Sequence, residues 1–83
     1  MKMDKMNILG EILKEEFMDP LCLSPAKLAS DLNVPEDDIR GIIDGKIRMN
    51  PKMSIKLGKY FGMSYDFFMN IQIEEDARNK KED

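Results

Sequence analysis

Eighty-three residues with 42% hydrophobic content make one small domain, since a second core would leave both too small to be stable. With no histidine and a single cysteine, Cys22, the usual zinc sites, Ser-His and Cys-His nucleophile systems and an internal disulfide are excluded, and no GxxxxGK[ST] phosphate loop occurs. The net charge of −3 and pI near 4.9 disfavour a polyanionic partner only on average: residues 44–59 carry Lys46, Arg48, Lys52, Lys56 and Lys59 against Asp44 alone.

Residues 1–7 are polar and methionine-rich and are expected to be loosely held. From Ile8 to Phe17 the three-and-four spacing of Leu9, Ile12, Leu13 and Phe17 predicts a helix, with Lys14 and Glu15 opposite. Asp19-Pro20 is expected to stop it, because Pro disfavours the α conformation in the residue before it. Leu21 and Leu23 are expected to pack down, with Cys22 between them as a small hydrophobe. Ser24-Pro25 opens a second helix, with Ser as N-cap and Pro at the first helical position. A tight turn at Asn33-Val34-Pro35 leads to a third helix over 35–44, closed by Gly45. Asn50-Pro51 repeats the opening signal for a fourth helix running to Phe61-Gly62. Its apolar face is Met53, Leu57, Tyr60 and Phe61, and Lys52, Lys56 and Lys59 form a basic stripe. Ser64 is expected to cap a fifth helix with Asp66 in its first turn, and Phe67, Phe68, Met69, Ile71 and Ile73 supply its apolar side. After Glu74 the chain is nearly all polar, so 74–83 reads as a fraying tail. The prediction is an all-α domain of five short helices over residues 8–73.

The second and third helices read together as a helix-turn-helix. Leu28, Ala29 and Leu32 share one face of the first, Ile39, Ile42 and Ile43 one face of the second, and Val34 joins the buried set. Ala29 falls where the two axes cross and its methyl permits close approach. Asn33, four residues on, stands where a left-handed backbone is needed, which Asn tolerates well. An ordinary helical hairpin has no need of that pair. In a helix-turn-helix the N-terminal residues of the second helix meet the base edges. Here these are Pro35, Glu36, Asp37 and, one turn on, Arg40. Arg40 can take guanine O6 and N7 in its fork, whereas Glu36 and Asp37 only accept and so suit cytosine N4. Together with Asp38 they would also repel phosphates, and the alternative is that all three merely complement the helix dipole. Gly41 suits a close backbone approach, to DNA or to another helix. Lys27, Lys46, Arg48, Lys52 and Lys56 are the candidates for phosphate contact, Arg48 foremost, although a lysine stripe also fits a solvated face. The carboxylate pairs Glu15-Glu16 and Glu74-Glu75 read as solvated surface, so neither an enzyme nor a cofactor is expected. No apolar run approaches the roughly 20 residues of a membrane span, and MKMDKMNILGE lacks the apolar stretch of a signal peptide. A cytoplasmic protein is expected.

Three stretches between Gly10 and Gln72, GEILKEEFMDPLCLS, KLASDLNVPEDDIRGIIDGKIRMN and LGKYFGMSYDFFMNIQ, resemble the HigA/VapI class of plasmid-maintenance antidote proteins. These are small members of the lambda-repressor-like (XRE) helix-turn-helix group. The resemblance implies a five-helix lambda-repressor-like DNA-binding domain. It also implies an antitoxin that pairs with a HigB-type, mRNA-cleaving toxin, dimerises, binds palindromic double-stranded operator DNA and represses its own operon. Carried over by position, Glu36, Asp37, Arg40 and Gly41 face bases, and Lys46 and Arg48 match the basic residues after the GK loop. This chain departs from the pattern in having Ile8-Leu9 where His-Pro is common, Pro25 where a polar residue is frequent, and acids at 36–38.

Two further expectations concern partners. Phe67, Phe68, Ile71 and Ile73 give the last helix more apolar surface than so small a core should need, which suggests an isologous homodimer contact placing two recognition helices about 34 Å apart. Both ends of the chain are acidic, which on charge alone serves solubility or suits a basic, RNA-binding toxin on the side away from DNA, and the resemblance favours the toxin. A stand-alone regulator without a toxin, or an interaction module that has lost DNA, are the other readings.

Overall fold

A computed structural model describes residues 7–81. The first helix, α1 (Ile8–Ile12), continues without a break into a π-helical turn (Leu13–Met18) and a 3₁₀ turn (Asp19–Leu21). The wider π turn delays the rotation of successive side chains. Met18, which regular α spacing would send outward, is thereby brought into the core at 1% exposure beside Leu9 and Leu13. Pro20 does not stop the helix as expected, since Asp19 before it is helical (φ −59, ψ −44). The stop comes at Cys22, which takes the left-handed conformation (φ 54, ψ 41). Leu23 N–H then closes back on the Met18 carbonyl at 2.9 Å. Cys22 is accordingly a helix C-cap with its side chain exposed, not a packed hydrophobe, and Leu21 is exposed too while Leu23 packs against the core.

The next three helices begin and end much as their sequence signals predict. α2 (Pro25–Leu32) is capped by Ser24, whose hydroxyl accepts from Lys27 N–H at 3.1 Å. It ends at Asn33 in the left-handed region (φ 60, ψ 48). α3 (Glu36–Asp44) starts one residue later than predicted, because Pro35 is extended (ψ 142) and stands as the N-cap. Gly45 closes it at φ 80. α4 (Pro51–Phe61) is capped by Asn50, which accepts from Met53 N–H at 2.9 Å, and Gly62 closes it at φ 75. Ala29 is buried at the α2–α3 crossing, where its carbonyl accepts from Val34 N–H at 3.0 Å.

α5 (Phe67–Lys81) departs furthest from expectation. Ser64 does not cap it with its side chain, whose hydroxyl donates to Asp66 Oδ1 at 3.0 Å; its backbone carbonyl accepts from Phe67 N–H at 3.2 Å. The helix also continues past Glu74, as far as Lys81. Gln72 is buried and its Oε1 accepts from Met49 N–H at 2.8 Å. One turn on, Glu75 Oε1 accepts from Leu9 N–H at 2.9 Å, and Asp76 takes both terminal nitrogens of Arg48 at 2.7 and 2.6 Å. Polar contacts to distant residues hold this half of α5, which is why apolar periodicity could not reveal it. Asn7, placed in the loose N-terminal segment by sequence, is likewise anchored. Its Oδ1 caps α1 at Gly10 N–H (3.3 Å) and its Nδ2 donates to the Ile43 carbonyl (2.8 Å). The expectation for residues 1–6 lies outside the described residues.

The core is Leu9, Leu13, Met18, Leu28, Ala29, Leu32, Ile39, Ile42, Met49, Met53, Leu57 and Phe68. Phe68 lies at its aromatic end, with ring centroids 5.2 Å from Phe17 and 5.0 Å from Phe67. Ser54, buried without any apolar signal to predict it, pins α4 to the start of α5. Its hydroxyl donates to the Tyr65 carbonyl at 2.7 Å and accepts from Met69 N–H at 3.1 Å.

Candidate nucleic-acid interface

Burial of Ile39 and Ile42 orients α3, so that Asp37, Arg40 and Asp44 project from its open face, with Glu36 half-buried at the edge. Glu36 and Arg40 are one turn apart, and Glu36 Oε2 accepts from Arg40 Nε at 2.6 Å. A Cβ at Gly41 would stand 2.5 Å from Ile47 Cδ1, so the glycine permits a close approach of the loop after α3. The Gly41 carbonyl accepts from both Lys46 N–H (2.8 Å) and Ile47 N–H (3.1 Å), which fixes that loop against the recognition helix. Asp44, not singled out from sequence, shares the exposed face through its four-residue spacing from Arg40.

The five phosphate candidates do not form one row. Lys52 and Lys56 line a groove with Asn33, Val34, Pro35, Asp38, Asn50 and Met53, beside the N-terminus of α3. Lys56 Nζ also donates to the Leu32 carbonyl at 3.3 Å, holding its ammonium at the α2–α3 turn. Lys46 is exposed on the loop, and among the described residues neither it nor Lys52 makes an ion pair. Lys27 is spent on Asp31 at 2.9 Å. The Tyr60 hydroxyl donates to the same carboxylate at 2.6 Å, and this bond together with Lys27 holds the Asp31 carboxyl below the ordinary carboxylate range. Arg48, the foremost candidate from sequence, lines a separate cleft with Asn7, Asp44, Gln72, Glu75 and Asp76. Its forked pair with Asp76 lowers that carboxyl's pKa and raises its own. A depressed carboxyl pKa means that the pair is complete at neutral pH and is lost only as pH falls through the lowered value. Asp76 stands 28 residues from Arg48, and no local pattern links them.

The residues assigned to a dimer contact divide as well. Phe68 is fully buried and belongs to the core, so it cannot supply an interface. Phe67 and Ile71 are half-buried and line a shallow groove with Ile8 and Ile12 between α1 and α5, while Ile73 is 56% exposed.

Five helices with a left-handed asparagine turn between α2 and α3, and an N-terminal recognition surface on α3, define a lambda-repressor-like helix-turn-helix domain. No family model matches the chain. An HTH-type transcriptional regulator of Haemophilus influenzae is 37% identical over 68 residues, which is 82% of this chain and 64% of that one. This chain thus spans less than two thirds of that regulator. Virulence-associated protein I of Dichelobacter nodosus is 31% identical over 74 residues, 89% of this chain and 68% of its own. Antitoxin HigA of Pseudomonas aeruginosa, solved with the higBA promoter, superposes with a TM-score of 0.82 at 34% identity, covering 95% of this chain and 90% of that one. The chain belongs to the HigA/VapI family of helix-turn-helix antidote proteins.

Proposed function

We propose that the protein is a DNA-binding antitoxin. It binds double-stranded operator DNA as a homodimer, represses its own operon, and neutralises a HigB-like mRNA-cleaving toxin in the cytoplasm. The observation that carries this reading is the near full-length match in fold and sequence to an antitoxin solved on promoter DNA, with the helix-turn-helix surface kept open. The α3 N-terminus enters the major groove, with Arg40 at the base edges, while Lys46, Lys52 and Lys56 neutralise the flanking phosphates. Acidic side chains lie exposed on the first helical segment, at Glu11, Glu15 and Glu16, a surface that suits a basic toxin. The test is co-expression with the product of the adjacent open reading frame. Growth arrest by that product alone, relieved by this chain with a complex surviving purification, is expected. A harmless neighbour alongside retained promoter binding would favour a stand-alone regulator, which the name of the Haemophilus relative also suits.

Two predictions attach to this reading. Arg48 is held by Asp76, so Asp76→Asn should release a cation to phosphate and tighten binding to any DNA. The salt slope of the dimer should steepen by about two on log–log axes. An unchanged slope in a binding titration would place Arg48 away from the DNA path. The dimer contact is assigned to the groove that Phe67 and Ile71 line with Ile8 and Ile12 between α1 and α5. Ile71→Asp should sediment as a folded monomer, and a dimer persisting in that variant would move the interface elsewhere.

A further inference from the structure

The open face of α3 is acidic except at one position. Glu36, Asp37 and Asp44 carry carboxylates, Gly41 carries no side chain, and Arg40 alone can donate. In the major groove a carboxylate can only accept, whereas guanine presents two acceptors, N7 and O6, side by side. Glu36 takes the Nε of Arg40 at 2.6 Å. The edge of the guanidinium left for a ligand is therefore the Nη1–Nη2 pair, the fork whose two parallel donors match guanine end-on. A free arginine would also reach phosphates, which carry no sequence information. Here the pair with Glu36 restrains that motion, and Asp37 nearby makes the helix N-terminus unattractive to phosphate. The sequence run Glu36-Asp37-Asp38, unfavourable for overall DNA affinity, has a use in this arrangement.

Building on the DNA-binding reading, we propose that Glu36 is a positioning residue rather than a base reader. It orients Arg40 so that a single guanine in each half-site dominates the operator preference. Phosphate affinity then comes from Lys46, Lys52 and Lys56 and discrimination from the Glu36–Arg40 pair, so the two can be changed separately. Removing the carboxylate should leave affinity for random DNA undiminished, since a negative charge is lost. It should weaken only the distinction between operator and random sequence.

The experiment uses the full chain and the duplex it protects upstream of its own gene, with each guanine replaced in turn by 7-deazaguanine, which lacks N7. Wild type should lose roughly fivefold or more in affinity at one guanine per half-site. Arg40→Ala should bind the natural duplex more weakly and be insensitive to that replacement. Glu36→Ala should lose the same sensitivity while binding random DNA at least as tightly as wild type. Glu36→Gln keeps an acceptor for Nε, so it should retain the discrimination and bind all sequences more tightly. Both positions are on the surface, and unchanged thermal unfolding of the variants separates these effects from folding. The proposal is overturned if Arg40→Ala remains sensitive at every guanine that wild type senses, or if Glu36→Ala discriminates fully. If wild type prefers no duplex from its own upstream region over random DNA, the DNA-binding reading itself fails, and the inference with it.

Discussion

Phe68→Ala is expected to remove a large fraction of the domain's stability at 25 °C. The side chain is fully buried and its ring meets those of Phe17, Phe61 and Phe67 at centroid distances of 5.2, 6.3 and 5.0 Å. Truncating a buried Phe to Ala costs about 3–5 kcal/mol, the transfer term plus the cavity left behind. A domain of this length has a total stability of roughly 4–12 kcal/mol. The loss is therefore a large fraction of the whole, and urea unfolding followed by circular dichroism measures it. The same substitution separates core from interface. Were Phe68 a dimer contact, the variant would be a folded monomer with an almost unchanged midpoint.

Gly10→Ala is expected to be nearly as damaging, against the sign of helix propensity. In an exposed helix interior this change would stabilise by up to about 1 kcal/mol. Here a Cβ would overlap the backbone carbonyl of Ile43 and press on the Asn7 side chain. That carbonyl ends the recognition helix and is held by Asn7 Nδ2, so neither side can yield without parting α1 from α3. Overpacking against backbone costs about 1–3 kcal/mol, and disturbing the Asn7 cap adds about 1 kcal/mol. A fall in Tm of roughly 10–20 °C is expected for a domain of this size. Gly41→Ala is the control. Its Cβ would press on the Ile47 side chain, 2.5 Å from Cδ1 and 2.6 Å from Cγ1, rather than on backbone, so a smaller fall is expected, and an equal one would show that the Ile43 carbonyl does not set the cost at Gly10.

These two residues also show what the sequence could and could not disclose. Local signals were legible because the physics behind them is local. Ser24-Pro25 and Asn50-Pro51 cap helices, Asn33 and Gly45 take the left-handed conformation, and Ala29 sits at the crossing. Gly10 stood in a recognisable stretch, yet its reason lies 33 positions away at Ile43, and no window of sequence contains both. The π turn at Leu13–Met18 moved Met18 inward by an irregularity that periodicity assumes away. The polar half of α5 looked like a tail because its partners are Leu9, Arg48 and Met49 rather than its own neighbours. In the candidate interface, residue types were informative and pairings were not. Arg40, Lys46 and Lys52 are exposed as expected, whereas Arg48 and Lys27 are engaged by Asp76 and Asp31. Phe68 belongs to the core because the core has an aromatic end that apolar counting does not reveal, in which Phe17 meets Phe61, Phe67 and Phe68.

On the proposed reading the helix-turn-helix face binds the promoter of its own gene through Lys46, Lys52 and Lys56, which make no ion pair among the described residues. Binding of the full chain to that duplex, titrated from low to moderate salt, tests it most directly. With Lys46, Lys52 and Lys56 each neutralising a phosphate in both subunits, the log–log slope should be about −5. In the Lys46→Glu, Lys52→Glu variant, affinity should drop for promoter and random DNA alike. A slope near zero, or a double variant that binds as tightly as wild type, would contradict the assignment of this surface to DNA.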